Sequence, residues 1–285
     1  MSRRMRTYYY AVVGALGGLL AWQASNLLGL SFSSNIYLSN AGAGALIGLS
    51  IGLPLGAAEG LAALSPLRAL RGGLFGGLVG LIGGAIGLPL GELVFQAVGA
   101  DLLGRALGWA IFGSLIGMAE GFTGGSQMWK GALGGALGGM LGGALLELLP
   151  TVGDDLATGK AAGLILLGTS VGALIALITV LLTKAWLEVV EGKMRGSTFI
   201  LDKFMTSKGP SAFIGSSPLK AEIALADPDV EPQHAMLVGG DTHFTVKDMS
   251  RAGTYLNGRK IEQARLANGA KLSLGQSQLM YHERR

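Results

Sequence analysis

Apolar and polar positions are divided unevenly along the chain. Six long apolar stretches, near Tyr8 to Leu28, Ala41 to Leu61, Gly72 to Ala97, Leu103 to Gly121, Gly131 to Leu149 and Lys160 to Leu182, dominate the first part. Each can cross roughly 30 Å of hydrocarbon as a helix. From Thr198 the pattern changes to short apolar runs (FIL, AFIG, EIAL, AMLV, FTV, TYL and KLSL) separated by Asp-Pro, Gly-Gly and Asn-Gly turn signals. That rhythm predicts an antiparallel β-sandwich. The expected fold is therefore an α-helical transmembrane bundle of six helices followed by an all-β sandwich. The expected boundaries are a glycine-zipper transmembrane domain over 1–183, a helical linker over 184–196 and a cytoplasmic domain over 197–285. Lys184 and Trp186 fit the snorkelling cation and interfacial aromatic that would end the sixth span.

Composition supports two solvents for one chain. Of 285 residues 49 are Gly, 50% are hydrophobic, only 14% are charged and the mean hydropathy is +0.50. A soluble domain would carry about 25% charged residues and about 7% Gly. Twelve charged residues lie between Ala11 and Thr183, against twenty-five from Lys184 onward. The net charge of +4 comes partly from Arg3, Arg4 and Arg6. With no basic groove interleaved with aromatics, it points to membrane orientation and not to nucleic acid. Arg68 and Arg71, then Lys130, then Lys184, Lys193 and Arg195 fall on the same expected side, which places both termini in the cytoplasm. A basic start before an apolar core also fits a signal peptide, but the glycines at 14, 17 and 18 and the want of an A-x-A site argue against cleavage. The chain has no Cys, which excludes disulfides, thiolate metal sites and thiol nucleophiles.

Glycines recur at spacing four: 44, 48, 52, 56 and 60; 72, 76, 80 and 84; 113, 117 and 121; 131, 135, 139 and 143. On a helix that spacing clears one face of side chains, so two backbones can approach closely within lipid. GAAEG at Gly56 recurs as GMAEG at Gly117, and SPLRALRGG from Ser65 matches SQMWKGALGG from Ser126 with a two-residue gap. The repeat is one helical hairpin, and with the outer stretches the bundle reads as three hairpin units running in the same direction. Glycine faces that pack between subunits would make a homo-oligomer.

Candidate chemistry is sparse. Glu59 and Glu120 end the second and fourth helices at matched repeat positions, with Arg68 and Lys130 opening the next. They are read as charge pairs at the membrane boundary, and Glu92 as an interfacial group at the other side. Gly168-Thr169-Ser170-Val171-Gly172 spells G-x-S-x-G, but it lies inside a helix and every His lies in the other half. Gly153 to Lys160 resembles a Walker loop with one residue too many between its glycines and Ala161 in place of Ser or Thr. Three scattered histidines make no metal site, so neither an enzyme nor a cofactor is expected.

The C-terminal residues resemble the forkhead-associated (FHA) family. The resemblance rests on IGSSPLKAEIALADPDVEPQHAML, FTVKDMSRAGTYLNGRKI and LANGAKLSLG, which follow the family's Gly-Arg turn, Ser-x-x-His segment, Ser-x-Asn-Gly-Thr loop with its Asn-Gly turn, and closing strand. It implies an eleven-stranded sandwich whose loops at one end read phosphothreonine peptides. Gly215, His234, Gly253, Thr254, Asn257 and Gly258 keep the scaffold positions. Ser216 stands where the family's phosphate-binding Arg belongs, Glu231 where its Ser belongs, and Ala252 where its peptide-holding Asn belongs. Losing a bidentate cation and gaining a carboxylate disfavours a phosphate carrying about −1.5 to −2 charges. Ser217, Lys220 and Arg251 remain as a substitute binding surface. The expected function is a non-enzymatic membrane scaffold whose FHA-like domain engages a cytoplasmic protein or a neighbouring subunit independently of phosphorylation. The alternative is a channel or transporter of small-residue helices regulated by that domain. The central thirds of the helices offer little polarity beyond Ser50, Ser114, Thr169 and Ser170, which favours the scaffold.

Overall fold

The computed structural model describes residues 1–28, 35–63, 65–98, 101–123, 128–148, 156–205, 209–240 and 243–284. Six helices come first: α1 (Arg3–Leu28), α2 (Ile36–Ala62), α3 (Pro66–Val98), α4 (Asp101–Thr123), α5 (Met128–Leu148) and α6 (Leu156–Leu181). All except α4 are long and apolar enough to cross a membrane; α4 has a shorter apolar stretch, Leu103–Ala119. Asn35 caps α2 by accepting from the Tyr37 and Leu38 N–H groups at 3.0 and 3.4 Å. Pro54 and Pro89 are accommodated inside α2 and α3.

Each helix packs on its chain neighbours, and α6 closes on α1 to complete a ring. Three of the contacts are antiparallel pairs in which glycine faces the carbonyl of glycine. Gly44, Gly48, Gly52 and Gly56 of α2 face Gly84, Gly80, Gly76 and Gly72 of α3, and Gly113 and Gly117 of α4 face Gly135 and Gly131 of α5. Gly14 of α1 faces Gly168 of α6, drawing the first and last helices together as the third pair. A Cβ at any of these positions would collide with the opposite carbonyl, so the approach demands glycine. Between the pairs backbones also approach closely, Gly91 of α3 facing Gly108 of α4 and Gly138 of α5 facing the Ser170–Val171 backbone of α6, while Gly87 meets Phe112. The middle of the ring is filled by Ile51 and Leu55 of α2, Phe112 and Ile116 of α4, and Leu167, Val171 and Ile175 of α6, all fully buried.

The sandwich follows without a spacer. Its strands are β1 (Ala185–Glu191), β2 (Thr198–Ile200), β3 (Ala212–Gly215), β4 (Ile223–Ala224), β5 (Ala235–Gly239), β6 (Phe244–Asp248), β7 (Thr254–Leu256), β8 (Arg259–Ile261), β9 (Gln263–Arg265), β10 (Lys271–Leu274) and β11 (Ser277–Glu283). One sheet runs β2-β1-β11-β10-β7-β8 and the other β4-β3-β5-β6-β9. Leu187, Val189, Ile214, Leu237, Val246, Leu272, Leu279 and Tyr281 meet between them in a continuous core.

The helical linker expected over 184–196 is instead strand β1, hydrogen-bonded to β2 on one side and β11 on the other. The reason is a period of two: Ala185, Leu187 and Val189 point into the core, while Trp186, Glu188 and Val190 are half-exposed. Trp186 consequently stacks on His282 of β11, with ring centroids 5.0 Å apart, instead of ending the sixth span. The side chain of Glu120, and the connection holding Gly153, Asp154 and Asp155, lie outside the described residues.

Candidate functional site

Three loops gather at one end of the sandwich: 216–222 after β3, 225–234 before β5, and 249–253 between β6 and β7. Their proximity begins with Gly215, whose α-carbon faces Pro232; an added Cβ would lie 2.6 Å from the Pro232 carbonyl carbon and 2.9 Å from the Glu231 oxygen. Only glycine lets β3 close against the second loop there. The Ser216 N–H then donates to the Glu231 carbonyl at 2.9 Å, and the His234 N–H to Ile214 at 2.8 Å.

His234 is wholly buried and bridges the second and third loops. Its Nδ1 accepts from the Glu231 N–H at 3.2 Å, which leaves Nε2 as the donor toward the Gly253 carbonyl at 3.3 Å. The third loop is held from within by Asp248, whose Oδ1 accepts from the Ser250 N–H at 3.1 Å, the Ser250 hydroxyl at 2.9 Å and the Thr254 hydroxyl at 2.8 Å. Burial alone would raise the Asp248 pKa, but these bonds outweigh it and hold the carboxyl below its usual range. Ser250 also accepts from the Gly253 N–H at 2.8 Å. Asn257 and Gly258, at φ 50° and 81°, turn β7 into β8, and the Asn257 side chain accepts from the Lys271 N–H at 2.9 Å.

Ser216 and Ser217 are half-buried, Glu231 is half-buried, and Lys220, Arg251 and Ala252 are exposed. The Glu231 carboxylate turns into the third loop and accepts from the Arg251 main-chain N–H at 2.8 Å. The Ser217 carbonyl accepts from Lys220 and Ala221, and the Gln233 amide donates to the Lys220 carbonyl at 3.0 Å. The main chains of all three loops are thereby joined, with the Lys220 and Arg251 side chains open to solvent. Lys260 was not singled out by its sequence. It pairs with Tyr255 across the β7–β8 hairpin and lies over Gly253, where a Cβ would come within 2.8 Å of its ammonium. A cation two residues past an Asn-Gly turn on the strand facing this loop was the available signal.

The boundary cations also have partners. Lys130, at the start of α5, is fully buried and ion-pairs with Asp202, itself 1% exposed, in the turn after β2. The other Asp202 oxygen accepts from the Lys184 and Ala185 N–H groups at 2.9 and 3.0 Å. Arg68, in the first turn of α3, donates to the carbonyls of Ala221 and Glu222. Glu59 ends α2 and is exposed.

Comparison with known proteins places these loops in a family. The FHA domain family model matches residues 212–275. The glycogen accumulation regulator GarA of Mycobacterium tuberculosis is 34% identical over 98 residues, covering 34% of this chain and 56% of that protein. GarA of Mycolicibacterium smegmatis is 36% identical over 100 residues, covering 34% and 58%. The chain thus spans little more than half the length of these curated relatives. Among solved structures, the FHA domain of CT664 from Chlamydia trachomatis is 27% identical with a TM-score of 0.33, covering 36% of this chain and 99% of that one. The FhaA FHA domain, solved in complex with the intracellular domain of Rv3910, is 24% identical with a TM-score of 0.30, covering 34% and 99%. The family match, the two-sheet topology and the joined loops lead to one statement: residues 212–275 are an FHA domain, set at the C-terminal end of a six-helix chain.

Proposed function

We infer that the protein is a non-enzymatic integral membrane adaptor of the bacterial inner membrane, with both termini in the cytoplasm, whose FHA domain engages a protein partner without needing a phosphate. The observation that carries this reading is the Glu231 carboxylate, seated between the loops on the Arg251 main-chain N–H. A negative charge already uses the donor that an incoming anion would need, and Ser216 offers no cation beside it. Coulomb repulsion between a carboxylate and a phosphate a few ångströms apart amounts to about 4 kcal/mol per pair of unit charges near a protein surface. Lys220 and Arg251 on the joined loops and Lys260 over Gly253 add positive charge to this end of the sandwich, a mixed surface suited to a polar or acidic protein segment. The filled middle of the helix ring supports an anchoring role for the bundle over a solute path. The glycine faces serve its internal packing, and association into a homo-oligomer would use its lipid-facing leucines.

Calorimetry of the full chain in detergent against a phosphothreonine peptide library tests the reading. The expected outcome is no preference for phosphorylated over unphosphorylated peptides. The double variant Ser216→Arg with Glu231→Ser should gain phosphate-dependent binding, since each charge-assisted bond is worth about 1.5 to 3 kcal/mol. Micromolar, phosphate-dependent binding by the unmodified protein would refute the reading and assign the phosphate to Ser217, Lys220 and Arg251.

A further inference from the structure

Among the described residues, the contacts by which the bundle holds the sandwich include four hydrogen-bonded or ionic grips. The Thr198 N–H donates to the Met1 carbonyl at 3.1 Å, Arg284 reaches the Leu181 carbonyl at the end of α6 at 3.0 Å, and Lys130 pairs with Asp202. Those three grips fall on β2, the residue after β11 and the turn after β2, outside the recognition loops. The fourth falls on one of them: Ala221 and Glu222, which Arg68 holds by their carbonyls, end the loop that begins at Ser216. From that grip hydrogen bonds continue across the recognition end without a break. Ala221 donates to Ser217 at 2.9 Å, Gln233 to Lys220 at 3.0 Å, Ser216 to Glu231 at 2.9 Å, and Arg251 to the Glu231 carboxylate at 2.8 Å. A second branch returns through the Glu222 carboxylate, which accepts from the Phe213 N–H at 2.7 Å.

We propose that the first turn of α3 and the recognition face of the FHA domain are energetically coupled: Arg68 sets the 216–222 loop and, through it, the Glu231–Arg251 contact. The two ends of this link are stiff. Arg68 is permanently charged, and its bonds to neutral carbonyls are of the stronger, charge-assisted kind. It projects from a helix that cannot slide, because Ala69 abuts Gly60 and Gly72 abuts Gly56 of α2 at backbone distance. The loop can therefore shift only by losing the guanidinium or by moving α3 on α2. Coupling of this kind is reciprocal: a partner that repositions the loop works on the α2–α3 packing, and a change in that packing alters affinity for the partner. The proposal rests on the reading of these loops as the partner-binding face.

Hydrogen exchange of the full chain in detergent, with no peptide added, tests the coupling separately from phosphate independence. Arg68→Gln should raise exchange in 216–222 about tenfold, the loss of one charge-assisted bond, and should raise it at Arg251 and Gly253 as well. The strand 271–274 should keep its wild-type protection, and Arg68→Lys should restore both loops together. A rise confined to 216–222, or a uniform rise across all strands, overturns the proposal.

Discussion

Replacing Lys130 by Met removes the ammonium from a closed environment and leaves the Asp202 carboxylate, 1% exposed, facing a side chain that cannot donate. Breaking one partner of a buried pair typically costs about 3 to 5 kcal/mol. The Lys184 and Ala185 N–H donors are present with or without Lys130 and do not change the difference. Lys130→Met should therefore lower the thermal midpoint of the detergent-solubilised protein markedly at pH 7. It should also open the α6–β1 junction to limited proteolysis. Adding Asp202→Asn should recover most of the loss, because the amide oxygen still accepts from the two main-chain donors and no charge is left buried. An unchanged midpoint, or a double variant as damaged as the sum of the singles, would refute the reasoning.

Gly52→Leu and Gly135→Leu each drive a side chain against the opposite helix's carbonyl, which no rotamer change relieves. The usual overpacking cost of about 1 to 3 kcal/mol is a lower guide here, and both should lower the melting midpoint relative to Leu78→Ala on the exposed face of α3. Asp248 and Asp227 are both held below the usual carboxylate range by hydrogen bonds that outweigh burial. Each contributes stability that is present above the unfolded pKa of about 3.9 and is lost as pH falls through the lower folded value. The melting midpoint should accordingly drop on acidification below about pH 4, and Asp248→Asn should flatten that acid limb.

The features legible in the sequence were those with short periods. Glycine at spacing four gave the contact faces of α2 through α5, because a helix converts that spacing directly into a stripe. The three FHA segments gave the sandwich and its recognition loops, because Gly215, His234 and the Asn257-Gly258 turn each answer a local backbone demand. What the sequence hid is long-range. β1 carries helix-compatible residues, and only pairing with β11, some ninety residues later, turns its alternation into a strand. Lys130 invited a partner in its own hairpin, whereas Asp202 lies 72 residues on. Arg68 stood beside Glu59 in sequence and holds carbonyls more than 150 residues away, a contact that no side-chain pattern encodes.

The pairing of α1 with α6 has a consequence for the order in which this chain is made. The other two glycine pairs join helices that are consecutive, so each can form as soon as its second member has been made. Gly14 and Gly168 are separated by about 150 residues, and α1 must wait through the synthesis of four further helices before its glycine face is covered. During that interval the face stays uncovered. Its delayed closure also brings the start of α1 beside the end of α6, where β1 begins. The sandwich therefore receives its seat only when the ring is complete.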